Sequence, residues 1–96
     1  MTKVRWTPQA ANDLQAIYDY IARDSPYYAQ LTVEGILAAI ARLKRFPLMG
    51  RHVPERPRAD LRELIKPPYR IVYRVGENVK VLTVFRASRS FPKNVK

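Results

Sequence analysis

The amino-acid sequence predicts an α+β domain in which a helix hairpin covers one face of a small, mainly antiparallel four-stranded sheet. Apolar side chains recur at helical spacing through residues 8–46, and they alternate at strand spacing in three segments of the second half. The chain has 96 residues and no internal repeat, which suits one domain with one core. We therefore expect a single domain spanning residues 1–96, with the element order βααβββ.

The first strand and the first helix follow directly from the residues at the start of the chain. Apolar and basic side chains alternate in residues 2–6, which is typical of a half-buried strand. Thr7 and Pro8 then form a helix start, since threonine caps the free N–H groups and proline fits the first turn. The helix is expected to run to about Arg23. Its apolar stripe consists of Ala10, Leu14, Ile17, Tyr18 and Ile21.

Ser25 and Pro26 repeat this start signal and predict a second helix that ends near residues 46–47. Only two or three residues separate the helices, so we expect an antiparallel hairpin. Residues 47–60 hold three prolines and no periodicity, and a connection of this length is usually functional or disordered. The apolar stripe of the second helix consists of Ala29, Val33, Ile36, Leu37, Ile40 and Leu43.

Three strands are predicted at residues 61–66, 69–75 and 79–86. Residues 76–78, Gly-Glu-Asn, are suited to positive φ and predict a tight turn between the last two strands. The last strand is apolar on both faces, so it is expected to lie inside the sheet. Its predicted faces are Val79, Val81 and Phe85 on one side, and Leu82 and Val84 on the other.

The charge of the chain is strongly basic and one-sided. The net charge is +10 and the pI is about 10.4. Residues 1–41 carry three basic against four acidic side chains, whereas residues 42–96 carry 15 basic against four acidic ones. This segregation favours a polyanionic partner, either nucleic acid or an acidic protein segment. The alternative is a generic solubilising surface.

A cationic sheet face is the first candidate binding surface. If the helix hairpin covers one face, the other is left with Lys3, Arg5, Arg70 and Arg74. Like charges on neighbouring strands destabilise a sheet, so this arrangement favours an external anion. The alternative is that these side chains extend separately into water.

The long loop is the second candidate, because it places Glu55 among Arg51, His52, Arg56 and Arg58. A carboxylate among arginines suits a general base acting on a nucleic-acid hydroxyl, with the arginines on phosphate. The more common alternative is a local ion pair that pins the loop. The same holds for His52, which is more often a surface residue than a catalyst.

The composition excludes several classes of protein. There are no cysteines, which removes disulfides, thiolate metal ligands and cysteine nucleophiles. The one histidine is His52, whereas zinc sites usually need several His or Cys ligands. No run approaches the roughly 20 apolar residues of a membrane span, and no signal-peptide core follows Met1. We expect a cytoplasmic protein with no metal, no cofactor and no membrane partner.

Six segments along the chain carry a family resemblance. They are Val4-Arg5-Trp6-Thr7-Pro8; Asp13 to Ile21; Phe46-Pro47 with Gly50-Arg51; Val53-Pro54-Glu55; Leu61-Arg62-Glu63-Leu64; and Tyr69 to Val75. In these segments the chain resembles the RelE/ParE superfamily of toxins from bacterial type II toxin–antitoxin modules, especially its ParE-like plasmid-stabilisation branch. The βααβββ order agrees with that family's fold.

The resemblance implies a growth-inhibiting toxin that is neutralised by a cognate antitoxin. ParE-like members resemble DNA gyrase poisons without nuclease activity, and RelE-like members resemble ribosome-dependent mRNA endonucleases. The gyrase interpretation is preferred here, and the endonuclease is the alternative. A non-toxic basic nucleic-acid-binding module is the second alternative.

On the nuclease interpretation, the resemblance implies that Glu55 is near the position of a base and Arg62 near that of a phosphate-binding arginine. Arg86 stands where related chains often carry a histidine. A guanidinium stays protonated at any working pH and cannot readily deliver a proton, so Arg86 disfavours nuclease activity. The residues expected to bind nucleic acid or another target are Arg51, Arg62, Arg70, Arg74, Arg86 and Arg89.

Overall fold

The structure, a computed structural model, describes residues 2–93 and 95 as a five-stranded sheet with two helices on one face. The strand order is β1-β5-β4-β3-β2, with β1 parallel to β5 and the other pairs antiparallel. The elements are β1 (Val4–Trp6), α1 (Pro8–Ala22), α2 (Pro26–Ala41), a 3₁₀ turn (Arg42–Lys44), β2 (Arg51–His52), β3 (Leu61–Lys66), β4 (Tyr69–Val75) and β5 (Val79–Arg86).

Local sequence signals account for the helix starts and for the last three strands. Thr7 Oγ1 accepts a hydrogen bond from the backbone N–H of Ala10 at 3.0 Å, and Ser25 Oγ accepts one from Tyr28 at 3.2 Å. Each cap is followed by proline, as predicted. The predicted bounds of β3, β4 and β5 are confirmed, and β5 lies inside the sheet.

The predicted number of strands was wrong, because the loop contributes a two-residue strand. In β2, Arg51 is registered with Glu63 and His52 with Arg62 of β3. Two residues are too few to show an alternating pattern, so no periodicity marked this strand. Its pairing partner defines it.

A bulge in β5 inverts the faces predicted for the end of that strand. Val72 is registered with Thr83 and Tyr73 with Val81, which leaves Leu82 as the extra residue. A slip of one residue moves the following side chains to opposite faces. The predicted faces of Val84 and Phe85 were therefore wrong: Val84 packs on the helix side with Val79 and Val81, and Phe85 packs with Leu82 on the other.

Asp13 of α1 holds this bulge against the helix. Its Oδ2 accepts hydrogen bonds from Thr83 Oγ1 at 2.5 Å and from the backbone N–H of Val84 at 3.1 Å. The carboxylate satisfies a backbone donor that the irregular ladder would otherwise leave free.

Each face of the sheet carries its own apolar cluster. The larger lies under the helices and includes Ile36, Ile40, Leu43, Ile71, Tyr73 and Val81. The smaller lies on the opposite face and consists of Val53, Leu61, Val72, Leu82, Phe85 and Val95, with Phe91 packed against it. The expectation of an open cationic face was therefore wrong at the centre of that face, where part of the loop and residues near the end of the chain cover it and Arg70 is only 7% exposed. Lys3 and Arg5, by contrast, are exposed as expected.

The turn between β4 and β5 also differs from its prediction. No residue among 2–93 and 95 has a positive φ. The turn is closed instead by a hydrogen bond of 3.1 Å from the N–H of Gly76 to the carbonyl of Asn78. The positive φ expected at residues 76–78 was wrong.

Gly50 is the glycine whose lack of a side chain the fold requires. An added Cβ would lie 2.6 Å from Glu63 O and 2.6 Å from Tyr73 Oη, closer than real Cβ contacts allow. We expect Gly50→Ala to lower the free energy of unfolding by about 1–3 kcal/mol through this overpacking. Gly76→Ala is the control, since its Cβ would meet only Asn78 O at 3.9 Å. Urea unfolding compares the two, and equal stabilities would contradict the assignment.

Candidate functional site

Arg70 stands at the centre of a four-residue ion cluster on the sheet face away from the helices. Its NH1 and NH2 groups donate to the two carboxylate oxygens of Glu55 at 2.8 and 2.7 Å. Its Nε donates to Glu63 Oε1 at 2.7 Å, and Arg51 Nε donates to Glu63 Oε2 at 2.6 Å. Two arginines and two glutamates balance in charge, so the cluster itself leaves no surplus for an external anion.

The inner half of the cluster is buried and the outer half faces solvent. The Glu63 side chain is fully buried and that of Arg70 is 9% exposed, whereas Glu55 and Arg51 are 42% and 59% exposed. The Arg70 guanidinium lies 5.1 Å from the ring centre of Phe85 and 5.7 Å from that of Phe91. These aromatic contacts and the carboxylates together stabilise the buried cation.

The cluster strongly favours the ionised form of Glu55. Hydrogen bonds from Arg70 lower the pKa of the Glu55 carboxyl from 4.5 to about 2, against an opposing effect of burial. The same bonds raise the pKa of Arg70. At neutral pH, Glu55 is therefore a weak proton acceptor with both oxygens already hydrogen-bonded.

The loop and the end of the chain are fastened to this face together. Arg56 donates to the backbone carbonyls of Val95 and, at 3.3 Å, of Lys93, and its guanidinium lies 5.3 Å from the ring centre of Phe91. The interpretation of Glu55 as part of an ion pair that pins the loop agrees with these contacts. Its partner is Arg70 of β4, however, rather than an arginine of the loop.

Arg62 and Arg86 lie on the helix side of the sheet, away from Glu55. Arg62 NH1 donates to the carbonyls of Gly50 at 2.8 Å and Leu48 at 3.2 Å. Arg86 of β5 is registered with Tyr69 of β4, and Tyr69 is registered with Lys66 of β3. Lys66 lies four residues beyond Arg62 on β3. Four residues span roughly 13 Å along a strand, so the structure does not bring Arg62, Arg86 and Glu55 together.

Arg86 and Arg89 line a groove of about 840 Å³ beside α1. Both are exposed, and the Arg86 guanidinium lies 5.8 Å from the ring centre of Tyr69. Asp13 also lines the groove, but its Oδ2 is held by the bulge of β5. The groove therefore presents two arginines and some apolar surface to solvent. The Oδ2 oxygen of Asp13 is not free to bind a ligand there.

The other residues predicted to bind a target differ in how far their side chains are already paired within the protein and in how exposed they are. Arg74 Nε lies 3.5 Å from Asp60 Oδ2 without forming a hydrogen bond, and its side chain is 33% exposed. His52 is exposed on β2. Glu63 was not among the site residues predicted from the sequence. Its signal was the position of a carboxylate between Leu61 and Ile65, the two apolar residues on the same face of β3.

Two further kinds of site are absent from the described residues. In residues 2–93 and 95, no group of three or more His, Cys, Asp or Glu side chains is arranged to hold a metal ion. Neither helix of this part of the chain is long and apolar enough to cross a membrane.

Comparison with known proteins gives consistent relatives over nearly the whole chain. Residues 4–91 match the family model for the ParE toxin of type II toxin-antitoxin systems, parDE. The putative toxin Y4kP of Sinorhizobium fredii is 37% identical over 93 residues, covering 95% of this chain and 94% of that protein. Toxin RelE2 of Caulobacter vibrioides is 38% identical over 91 residues, covering 93% and 99% respectively.

Two solved structures share the fold. The chromosomal ParDE TA system from P. aeruginosa contains a chain that matches with a TM-score of 0.74 and 30% identity, covering 90% of this chain and 96% of that one. The toxin-antitoxin complex RelBE2 from Mycobacterium tuberculosis matches with a TM-score of 0.59 and 26% identity, covering 92% and 93%.

The buried carboxylate is expected to matter more for stability than the exposed one. Glu63→Gln leaves Arg70 and Arg51 without a buried anion, and removing one partner of a buried pair costs about 3–5 kcal/mol. Glu55→Gln is the matched variant, and it should cost about 1 kcal/mol because Glu55 faces solvent. Urea unfolding of both variants measures the difference. A larger loss for Glu55→Gln would contradict this order.

The lowered pKa of Glu55 also predicts a pH dependence. Because the pKa of Glu55 in the folded protein, about 2, lies below its ordinary value of 4.5, the ion pair stabilises the fold above pH 4.5. That contribution is lost as the pH falls from 4.5 towards 2. The difference in Tm between wild type and Glu55→Gln should shrink over this window, with Glu77→Gln as an exposed control. A difference that stays constant down to pH 2 would rule out the pairing.

Proposed function

The chain belongs to the ParE toxin family of type II toxin–antitoxin systems, and on that premise we propose that it inhibits growth by binding DNA gyrase rather than by cutting RNA. The gyrase target follows from the resemblance to ParE-like toxins. The proposal that no RNA is cut rests on the chemistry of this chain's own residues.

The observation that carries the proposal is the engagement of Glu55 by Arg70. Cleavage of RNA by its own 2′-hydroxyl needs a group that takes up a proton near the working pH. A carboxylate with a pKa of about 2 and two charge-assisted hydrogen bonds is poorly suited to this task. Freeing it would also remove one of the contacts that hold the loop to the sheet.

The residue at the expected acid position supports the same conclusion. Arg86 stabilises negative charge but does not readily donate its proton to a leaving oxygen. Its distance from Glu55, on the opposite face of the sheet, further disfavours a shared reaction centre. Arg86 and Arg89 suit binding instead, since both are exposed beside a groove of mixed polar and apolar lining.

A ribosome-dependent mRNA endonuclease is the second candidate. It is favoured by the 38% identity to a protein described as Toxin RelE2. In that case either Arg62 or Arg86, which do not lie together, would act on the phosphate, and the ribosome or the mRNA would supply what the isolated site lacks.

We also propose a cognate antitoxin that covers the helix hairpin with an apolar and acidic segment. Tyr27, Tyr28, Leu31 and Leu37 are large apolar side chains of α2 that are between 42% and 68% exposed. A groove of about 500 Å³ between the helices is lined by Trp6, Ala11, Leu14, Gln15, Tyr18, Val33 and Leu37. The RelBE2 structure is itself a toxin–antitoxin complex, which supports such a partner.

The target is tested by two readouts on the same protein. We expect the purified chain to inhibit supercoiling by DNA gyrase, and we expect its induction in cells to leave reporter mRNA without codon-linked cuts in primer extension. Arg86→Ala should weaken the gyrase effect, and Arg23→Ala, another exposed arginine, is the control. Discrete cuts that Arg86→Ala abolishes, with supercoiling unaffected, would establish the endonuclease instead.

The antitoxin surface is tested by co-expression with the protein encoded by the adjacent reading frame. We expect a complex on gel filtration at moderate salt, and Leu37→Asp should weaken it at least tenfold by placing a charge in the apolar groove. Ala38→Asp adds the same charge at an exposed neighbour outside the groove lining and serves as control. Equal loss in both variants would argue against docking at the groove.

A further inference from the structure

A row of three cations crosses the sheet on the face away from the helices. Arg5 of β1 is registered with Lys80 of β5, and Lys80 is registered with Arg74 of β4. Their sequence neighbours on these strands, including Val4, Trp6, Val79, Val81, Tyr73 and Val75, pack on the helix side, so the three cations point the other way. Neighbouring strands are about 4.8 Å apart, which makes the row about 10 Å long.

The protein neutralises little of the charge in this row. Arg5 and Lys80 form no ion pair among residues 2–93 and 95. Arg74 lies 3.5 Å from Asp60, but that carboxylate already accepts two hydrogen bonds from Arg58, at 3.1 and 2.8 Å. The Nε of Arg74 is buried and has no hydrogen-bond partner in the described structure. Like charges directly opposite on adjacent strands destabilise a sheet, so an external anion would relieve this row.

The row continues into a concave surface at the β1 edge of the sheet. This hollow of about 1050 Å³ is lined by Lys3, Arg5, Lys44 and Arg45, with Glu77 as its one acidic lining residue. Phe46, which is 57% exposed, also lines it. We call the row and the hollow together the cationic edge: Lys3, Arg5, Lys44, Arg45, Arg74 and Lys80.

We infer that the cationic edge binds the phosphate backbone of single-stranded nucleic acid, with a base stacked on Phe46. Phosphate contacts need only well-placed cations, and aromatic side chains beside a basic groove are where unpaired bases stack. A protein partner depends instead on apolar anchors that enter pockets, which this surface offers only at Phe46. The cationic edge is separate from Glu55 and Arg86, so the inference stands whether or not gyrase is the target.

The experiment measures binding of the full chain to a fluorescein-labelled 12-nucleotide single strand by anisotropy across a KCl series. Arg5→Gln/Lys80→Gln should weaken binding at low salt at least tenfold. It should also flatten the slope of log K against log salt by about 1.4, since each phosphate contact on a single strand contributes about 0.7. Arg23→Gln/Lys66→Gln removes the same net charge elsewhere, and its slope should change by less than half as much. Equal changes of affinity and salt slope in the two double variants would overturn the inference.

The identity of the bound anion is tested with a variant that lacks the Phe46 ring and with poly-glutamate as a second anionic polymer. Phe46→Leu keeps an apolar side chain but removes stacking, so it should weaken single-strand binding about tenfold. Binding of poly-glutamate of matched charge should be weaker than that of the oligonucleotide and unaffected by Phe46→Leu. Poly-glutamate that binds as tightly as the oligonucleotide would assign the surface to an acidic protein. Urea midpoints verify folding, and Lys3→Gln/Lys44→Gln replaces the first pair if that pair is unfolded, with the same slope criterion.

Discussion

The packing on the sheet face away from the helices depends on the buried contact between Arg70 and Glu63. A carboxylate with no exposed surface costs several kcal/mol unless cations and hydrogen bonds compensate it, and Arg70 and Arg51 supply both. The guanidinium that meets Glu63 also holds Glu55. Arg70 therefore contacts both the loop, through Glu55, and Phe91, which packs against the smaller apolar cluster.

Two groups of basic residues differ in what their side chains contact. Arg51, Arg62 and Arg70 donate to carboxylates or backbone carbonyls, so they stabilise the fold. The cations at the β1 edge, and Arg86 with Arg89 at the end of β5, remain exposed to solvent. These two groups of exposed cations lie away from the ion cluster around Arg70. This arrangement is consistent with the proposal that the toxin acts by binding, because Glu55, the candidate proton acceptor, is held in a structural ion pair.

The sequence predicted what local patterns determine and missed what depends on partners distant in the chain. Helix caps at Thr7 and Ser25 involve residues three apart, and the strand bounds follow from alternation over six to eight residues. By contrast, β2 exists only through its pairing with β3. The bulge at Leu82 is an extra residue that no alternation marks, and it inverted the faces beyond it. The role of Arg70 also required three-dimensional information, since Glu63 and Glu55 lie seven and fifteen residues away.

Hydrogen–deuterium exchange of Arg70→Gln against wild type tests the central claim most directly. If Arg70 holds the loop and the end of the chain to the sheet, amides of residues 51–58 and 91–93 should lose protection in the variant. Amides of α1 and α2, which pack on the other face, should keep theirs under conditions where the variant remains folded. Unchanged protection in residues 51–58, or an equal loss in the helices, would contradict the account.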